Sequence, residues 1–274
     1  MEKVIITGGK GFLGKKLEEL LKEKYDIFVF GRPERDITKT EDFEDLGADY
    51  IIHLAAITRG QDKKEMFNIN VQGTFNVLEF CKRTNAKLVF TSSAAVYGNA
   101  KSPIKEDTFL NPTSPYGLTK LLGEKLCGFY NQNYNTQIVI LRLFNMYGPG
   151  QHKGFVIPDI ISQLKNEKII IKNSLSKRDF VYVDDVAEAI KKSINVSSFE
   201  IINIGLGKGY SIQELAKKIA KGKRVETSFS REGEDIYANL SKAKKVLDWQ
   251  PKINLDEGLT KTIDYFKDIL QKQE

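Results

Sequence analysis

The chain has 274 residues, 41% hydrophobic and 28% charged, with 7 prolines; that leaves room for one large α/β unit with an appended lobe and excludes a disordered or fibrous chain. Its 42 Lys and Arg against 36 Asp and Glu give a formal charge of +6, a modest excess that suits phosphate-bearing small ligands as well as nucleic acid. Cys81 and Cys127 are the only cysteines and have no metal-ligand spacing, which argues against a disulfide framework and for reduced thiols without a metal.

The N-terminus enters a strand pattern at once, Lys3-Val-Ile-Ile-Thr7, and no stretch approaches the roughly 18 apolar residues of a membrane span, so a cytoplasmic protein with no membrane partner is expected. Short β-branched runs at Val4 to Thr7, Ile27 to Phe30, Tyr50 to Leu54, Lys87 to Thr91 and Gln137 to Leu143 alternate with amphipathic stretches at Leu13 to Lys24, Met66 to Thr84 and Pro115 to Asn133. That rhythm predicts an α/β fold, a Rossmann doubly wound parallel sheet. After about Asn145 the rhythm changes. Gly148-Pro149-Gly150 breaks the chain, a helix is predicted over Ile157 to Asn166 and a strand over Ile169 to Lys172. A helix over Asp179 to Ser193 and a strand over Glu200 to Ile204 are expected to rejoin the main sheet before the chain returns to a smaller C-terminal lobe near Ser211.

Between the first strand and first helix stands Thr7-Gly8-Gly9-Lys10-Gly11-Phe12-Leu13-Gly14. Gly8 permits a tight turn, Gly11 lets backbone N–H groups approach a pyrophosphate at the helix N-terminus, and Gly14 lets the helix pack closely on the strand. Glycines alone also fit a plain turn; the strand before and the helix after point to a nicotinamide dinucleotide. The second strand ends in Phe28-Val-Phe-Gly31-Arg32 with no carboxylate for the adenosine ribose. Arg32, with Lys10, favours a 2′-phosphate and hence NADP(H), NAD(H) being the alternative. Asp36, followed by Ile37, is a candidate acceptor for the adenine amino group, or a turn residue.

Joined by His53-Leu-Ala-Ala56, Asn70-Val-Gln-Gly-Thr74, Ser92-Ser93-Ala94-Ala95-Val96-Tyr97-Gly98 and Tyr116-Gly-Leu-Thr-Lys120, this loop makes the chain resemble the extended short-chain dehydrogenases, specifically the NAD-dependent epimerase/dehydratase family. Leu141-Arg-Leu-Phe-Asn145-Met-Tyr-Gly-Pro149, Arg178-Asp-Phe-Val-Tyr-Val-Asp-Asp185, Ile202-Asn-Ile-Gly205 and Leu247-Asp-Trp-Gln-Pro251 follow in the family's order, so the resemblance spans nearly the whole chain. It implies a dinucleotide-binding Rossmann domain over 1–147, rejoined by about 179–205, and a substrate-binding lobe over 148–274. It also implies that Phe12, Leu13, Leu54, Ala55, Ala56 and Asn70 line the cofactor.

Tyr116 and Lys120 lie four apart in a helical stretch, which stacks them on one face, where an ammonium stabilises a phenolate and draws the Tyr pKa from about 10 toward working pH. Alone such a pair also fits packing plus solvated charge. After a strand ending in Ser92-Ser93, and in the family's Tyr-x-x-x-Lys spacing, Tyr116 is the expected acid/base. By the resemblance Ser93 hydrogen-bonds the reacting sugar group, Lys120 also holds the nicotinamide ribose, and Asn70 orders the helix carrying part of this network. Local capping is the alternative for Ser92 and Asn70.

The family's 4,6-dehydratases carry an Asp-Glu pair just after the active-site hydroxyl, where this chain has Ala94 and Ala95; a methyl group removes no proton, so chemistry confined to C4 of a nucleoside-diphosphate hexose is expected. Arg32 and Lys10 favour an NADPH-dependent 4-keto-sugar reductase, whereas Tyr-Gly-Leu-Thr-Lys, Leu-Phe-Asn-Met-Tyr-Gly-Pro and the later motifs look like NAD-dependent 4-epimerases. Matching positions put Asn145, Arg178 and Arg231 near the sugar and diphosphate, the two arginines fitting interlobe salt bridges as well. A non-catalytic RNA-binding relative is disfavoured by the intact Tyr/Lys couple and by the lack of a basic stripe interleaved with aromatics. The family also suggests a homodimer in which helices around residues 70 to 83 and 116 to 131 form a four-helix bundle. Phe75, Leu78, Leu121 and Leu122 would supply its apolar stripes unless they belong to the core.

Overall fold

The computed structural model describes residues 1–172, 175–229 and 234–271. In chain order its elements are β1 (Lys3–Thr7), α1 (Phe12–Leu21), β2 (Asp26–Phe30), β3 (Tyr50–His53), α2 (Lys63–Phe67), a π-helical turn (Asn68–Gln72) leading into α3 (Gly73–Thr84), β4 (Lys87–Ser93), α4 (Pro115–Tyr134) and β5 (Ile138–Leu143). Then come β6 (Asn145–Tyr147), α5 (Val156–Ser162), β7 (Lys168–Lys172), β8 (Lys177–Tyr182), α6 (Val183–Ser193), β9 (Glu200–Ile204), β10 (Gly209–Ser211), α7 (Ile212–Ala220), β11 (Arg224–Phe229), α8 (Ser241–Leu247) and α9 (Leu255–Gln271).

The predicted Rossmann sheet is present as parallel strands in the order β2-β1-β3-β4-β5-β9. Successive residues of each strand face opposite sides, so Val4 and Ile6 pack with Leu17 of α1 and Val186 and Ile190 of α6, while Ile5 packs with Val77 and Leu78 of α3 and Tyr130 of α4. Helices on both faces explain why these strands are continuous apolar runs. The chain leaves β1 for β2 on one side and then crosses back to β3 on the other. The carboxyl ends of β1 and β3 therefore flank a topological switch point, where open α/β sheets leave a crevice.

Two elements differ from their sequence-based outlines. The span read as one helix from Asp179 to Ser193 divides: Asp179 to Tyr182 belong to β8, and the helix starts at Val183. Phe180, Val181 and Tyr182 are all buried, as a strand paired on both edges by β6 and β10 requires, whereas the 3.6-residue pattern begins only with Val183, Val186, Ala187 and Ile190. The amphipathic stretch from Met66 is interrupted by the π-helical turn before α3. Between β2 and β3 the described chain has a 3-10 turn, Glu41–Phe43; Phe43 there stacks on Phe30 with ring centroids 4.6 Å apart and covers that edge of the core.

The strand over Glu200 to Ile204 does rejoin the main sheet, beside β5. The smaller lobe consists of β6, β8 and β10 in one sheet, β7 and β11 in another, and α5 and α7 packed nearby. Asp179 ties it to the main body: its buried carboxylate accepts the backbone N–H groups of Leu206 (2.5 Å), Gly207 (2.9 Å) and Ala238 (3.1 Å). Burial of that carboxyl pushes its pKa up to about 6 against the pull of the three N–H donors. Asp185, in the first turn of α6, holds the backbone of Lys252 and Ile253 at 3.0 Å each, and its carbonyl accepts from Trp249 Nε1.

A Cβ at Gly14 would lie 2.3 Å from the Gly9 carbonyl oxygen, so α1 rides directly on the backbone of the glycine loop rather than on the strand. Gly14→Ala is expected to lower the unfolding free energy by about 1–3 kcal/mol through overpacking, read as a drop in the thermal midpoint. An unchanged midpoint would show that the loop gives way freely.

Candidate active site

The glycine loop fits a dinucleotide pyrophosphate. Gly8 adopts φ +69° and its N–H reaches the Phe30 carbonyl at 2.9 Å, while Gly11 N closes on Gly8 O at 2.9 Å. Gly11 is the N-cap of α1 and brings no capping side chain, and the first turn holds no acid, so the N–H groups at Phe12 and Leu13 face a site suited to an anion. The Phe12 ring lies beside Gly148 and Gly150, which lays the turn after β6 over this helix end.

At the ribose end the two candidate cations are both engaged. Lys10 Nζ bonds Glu34 and lies 3.3 Å from the Arg32 carbonyl. Arg32 Nε donates to Asp36 at 2.7 Å, and its Nη1 lies 3.4 Å from Glu65. Asp36 also accepts the N–H and hydroxyl of Thr38 at 2.9 Å, the turn role foreseen as its alternative. Ile37 beside it is buried against Gly73.

Under the switch point lies a hydrogen-bonded chain built on His53, which is wholly buried. Thr74 Oγ1 donates to the Asn70 carbonyl at 2.7 Å, so toward His53 Nε2, 3.0 Å away, it accepts. His53 Nδ1 is then the acceptor for the Thr7 hydroxyl at 2.6 Å. Burial drives the imidazole pKa down to about 3, with Lys120 adding to the effect, which keeps it neutral. Thr7 Oγ1 in turn accepts the Ala55 N–H at 3.3 Å, fixing the Leu54-Ala55-Ala56 segment beside Gly8, where a Cβ would lie 2.8 Å from Ala55 N. Asn70 grips Ile57 by both backbone groups, at 2.8 and 2.9 Å, and donates to Thr119 of α4 at 2.9 Å. It joins elements rather than capping one.

Tyr116, Lys120 and Ser93 come together. Ser114 caps α4 by accepting from Gly117 N at 3.1 Å, with Pro115 in the first turn. A Cβ at Gly117 would lie 2.5 Å from Ala95 O, so this helix start sits on the turn that follows Ser93, and Ser93 lies close enough to Tyr116 to favour its ionised form. The expected lowering of the phenol is corrected here. Burial pushes Tyr116 up to about 12, only partly opposed by Ser93, because the Lys120 ammonium is turned to the Thr91 carbonyl at 2.8 Å. Burial brings Lys120 itself down to about 8, with Cys127 and Glu124 opposing. The resting chain thus holds a protonated phenol.

Ala94 and Ala95 occupy the turn after Ser93. Asn145 donates to the Asp179 carbonyl at 2.9 Å, and Arg178 donates to the carbonyls of Lys177 and Glu234 at 2.8 and 2.9 Å; both belong to the β6-β8 sheet. Arg231 lies outside the described residues. Glu124 and Arg142, a buried ion pair directly behind Ser92, are not among the residues expected from the sequence; the signal for Glu124 is its spacing, one further helical turn along the Tyr116/Lys120 face. Among the described residues no group of His, Cys, Asp and Glu could hold a metal, and no helix is long and apolar enough to cross a membrane.

The model of the NAD dependent epimerase/dehydratase family matches residues 4–205. A protein of Methanocaldococcus jannaschii provisionally named UDP-glucose 4-epimerase is 34% identical, the match covering 96% of this chain and 98% of that protein. The UDP-glucuronate 4-epimerase of Thermodesulfobacterium geofontis is 30% identical over 97% of each. Among solved structures, a tyrosine-to-phenylalanine variant of the Bacillus cereus UDP-glucuronic acid 4-epimerase, in complex with a 4-fluoro substrate analogue and NAD, superposes with a TM-score of 0.88 at 29% identity, covering 97% of this chain and 99% of that one.

Lys120 gives a test of this geometry that needs no substrate. Its pKa is depressed from 10.5 to about 8 by burial, so between those values the unfolded chain binds more protons than the folded one, and stability rises with pH. The cost of burying the charge, fully present below pH 8, is about 3 kcal/mol. Unfolding free energies of Lys120→Met should lack that rise between about pH 8 and 10 relative to wild type. Parallel pH curves for the two proteins would mean that Lys120 is not held as described.

Proposed function

The chain belongs to the NAD-dependent epimerase/dehydratase family, and from that premise we propose that it is a UDP-hexose 4-epimerase that retains NAD(H). A bound nicotinamide would supply hydride acceptance and return at the sugar C4. Gly8, Gly11, Phe12, Leu13 and Gly14 would hold the pyrophosphate, and Leu54, Ala55, Ala56 and Asn70 would shape the crevice beyond it. Tyr116 would exchange the C4 hydroxyl proton, Ser93 would align that hydroxyl, and Lys120 would hold the nicotinamide ribose. Residues 1–147 with 179–205 would carry the cofactor, and the lobe from residue 148, with Asn145, Arg178 and Arg231, the UDP-sugar.

The observation that carries this reading is the gathering of Ser93, Tyr116 and Lys120 at the carboxyl end of β4, with Ala94 and Ala95 directly after Ser93 in the adjoining turn. It supports proton exchange at C4 and offers no acid/base pair for elimination at C5 and C6. The pairing of Lys10 and Arg32 with Glu34, Asp36 and Glu65 supports NAD(H) over NADP(H), because those carboxylates would oppose a 2′-phosphate. It turns the preference from the reductase drawn from the sequence to the epimerase, and the relatives' names support the same choice.

Incubation of the full chain with UDP-glucose or UDP-glucuronate should yield the C4 epimer with no net consumption of reduced cofactor and with NAD released on denaturation. Stoichiometric NADPH oxidation by a 4-keto sugar would replace this reading with the reductase, and a UDP-pentose product would replace it with decarboxylation. Tyr116→Phe should lower kcat by roughly 10²- to 10⁴-fold, the usual worth of a positioned acid/base, while cofactor affinity holds.

We also infer a homodimer through α3 and α4. Leu78 lies in the core and Leu121 packs against a separate buried cluster around Val96 and Tyr97, so those two would not supply the apolar stripe; Phe75, Leu118 and Phe129, exposed at 39%, 41% and 52%, would. Phe129→Glu should convert a sedimenting dimer to monomer, and a monomeric wild type would refute the inference.

A further inference from the structure

One face of α4 carries Tyr116, Lys120 and Glu124 at successive turns, and each meets the last residues of β4. Tyr116 lies beside Ser93, Lys120 donates to the Thr91 carbonyl, and Glu124 accepts the hydroxyl hydrogen of Ser92. The Glu124 side chain is 4% exposed, and Arg142 of β5 grips it with two bonds, Nε to Oε1 at 2.9 Å and Nη2 to Oε2 at 2.7 Å. Arg142 is in turn fixed by the Tyr97 hydroxyl at 2.8 Å and the Glu106 carbonyl at 2.9 Å.

Burying two charges costs desolvation that their attraction roughly offsets, so such a pair contributes little net stability over apolar residues of the same volume. What apolar residues would lack is an acceptor for the Ser92 hydroxyl and a negative charge one helical turn from Lys120. Loss of the first frees the end of β4 next to Ser93. Loss of the second removes a field that favours the ammonium form of Lys120.

We infer that Glu124, locked by Arg142, is a positioning residue: through Ser92 it sets the distance between the Ser93 and Tyr116 hydroxyls, and it places a carboxylate beside Lys120. The kinetic consequence rests on the function proposed above; the consequence for Lys120 rests on the geometry alone. The groups facing Lys120 are Glu124 and Cys127 of α4, neutral His53 of β3, and the Phe90 ring and Thr91 carbonyl of β4. Arg142 and Ser92 face Glu124 from β5 and β4.

Glu124→Gln alone strands the Arg142 charge and is expected to unfold the protein, so the decisive variant combines Glu124→Leu with Arg142→Met, removing both charges while filling the space. In the full chain this double variant should melt near wild type yet show kcat lowered roughly ten- to a hundredfold, the scale of a sub-ångström to ångström misplacement, with KM unchanged. Its Lys120, followed by NMR of ε-labelled lysine, should titrate at lower pH than in wild type. Ser92→Ala should reproduce the kcat loss without moving that titration. A double variant with wild-type kcat and unmoved Lys120 titration, or an unimpaired Ser92→Ala, overturns the inference. If the wild type epimerises no UDP-sugar, the functional reading fails, while the Lys120 titration of the double variant still decides this one.

Discussion

The seating of α4 against the carboxyl end of β4 is the contact on which the candidate site depends. Lys120 and Glu124 bond Thr91 and Ser92, and Tyr116 lies beside Ser93, so that one face of the helix is fixed against the end of the strand. Gly117 allows the approach, since the first turn of α4 lies directly on the Ala95 carbonyl. A phenol in this position needs no mobile partner to be aligned; its alignment follows from the packing of two regular elements, which hold geometry better than loops do.

The same economy of parts governs the cofactor crevice. His53, buried and neutral, spends both ring nitrogens on threonines of other elements, Thr7 of β1 and Thr74 of α3, and Thr7 passes the constraint to Ala55. The crevice walls are thereby tied to the strand ends rather than left to loop conformation. Satisfied buried polar networks of this kind rigidify a site, because an unpaired member would carry the full cost of desolvation.

Charge pairing after β2 shows what a local reading of charge leaves out. Arg32 and Lys10 read from the sequence as cations for a 2′-phosphate, and in the fold Glu34, Asp36 and Glu65 pair with them. Glu65 comes from α2, 33 residues further along the chain, and no local pattern announces that it will fold back onto Arg32.

The alternation of apolar runs with amphipathic stretches and the glycine loop were sufficient to identify the Rossmann sheet, because each depends on residues within a few positions of one another; the Tyr116/Lys120 spacing pointed to a candidate catalytic couple only together with the strand before it and the family resemblance. The division of Asp179 to Ser193 into strand and helix was not legible, since Phe180 and Tyr182 fit a buried helix as well as a strand until β6 and β10 supply the pairing. Only the tertiary structure decided the protonation of Tyr116, the partners of Arg32 and the Glu124/Arg142 lock. Those are properties of burial and of charges brought together from separate elements, and a linear chain carries neither until it folds.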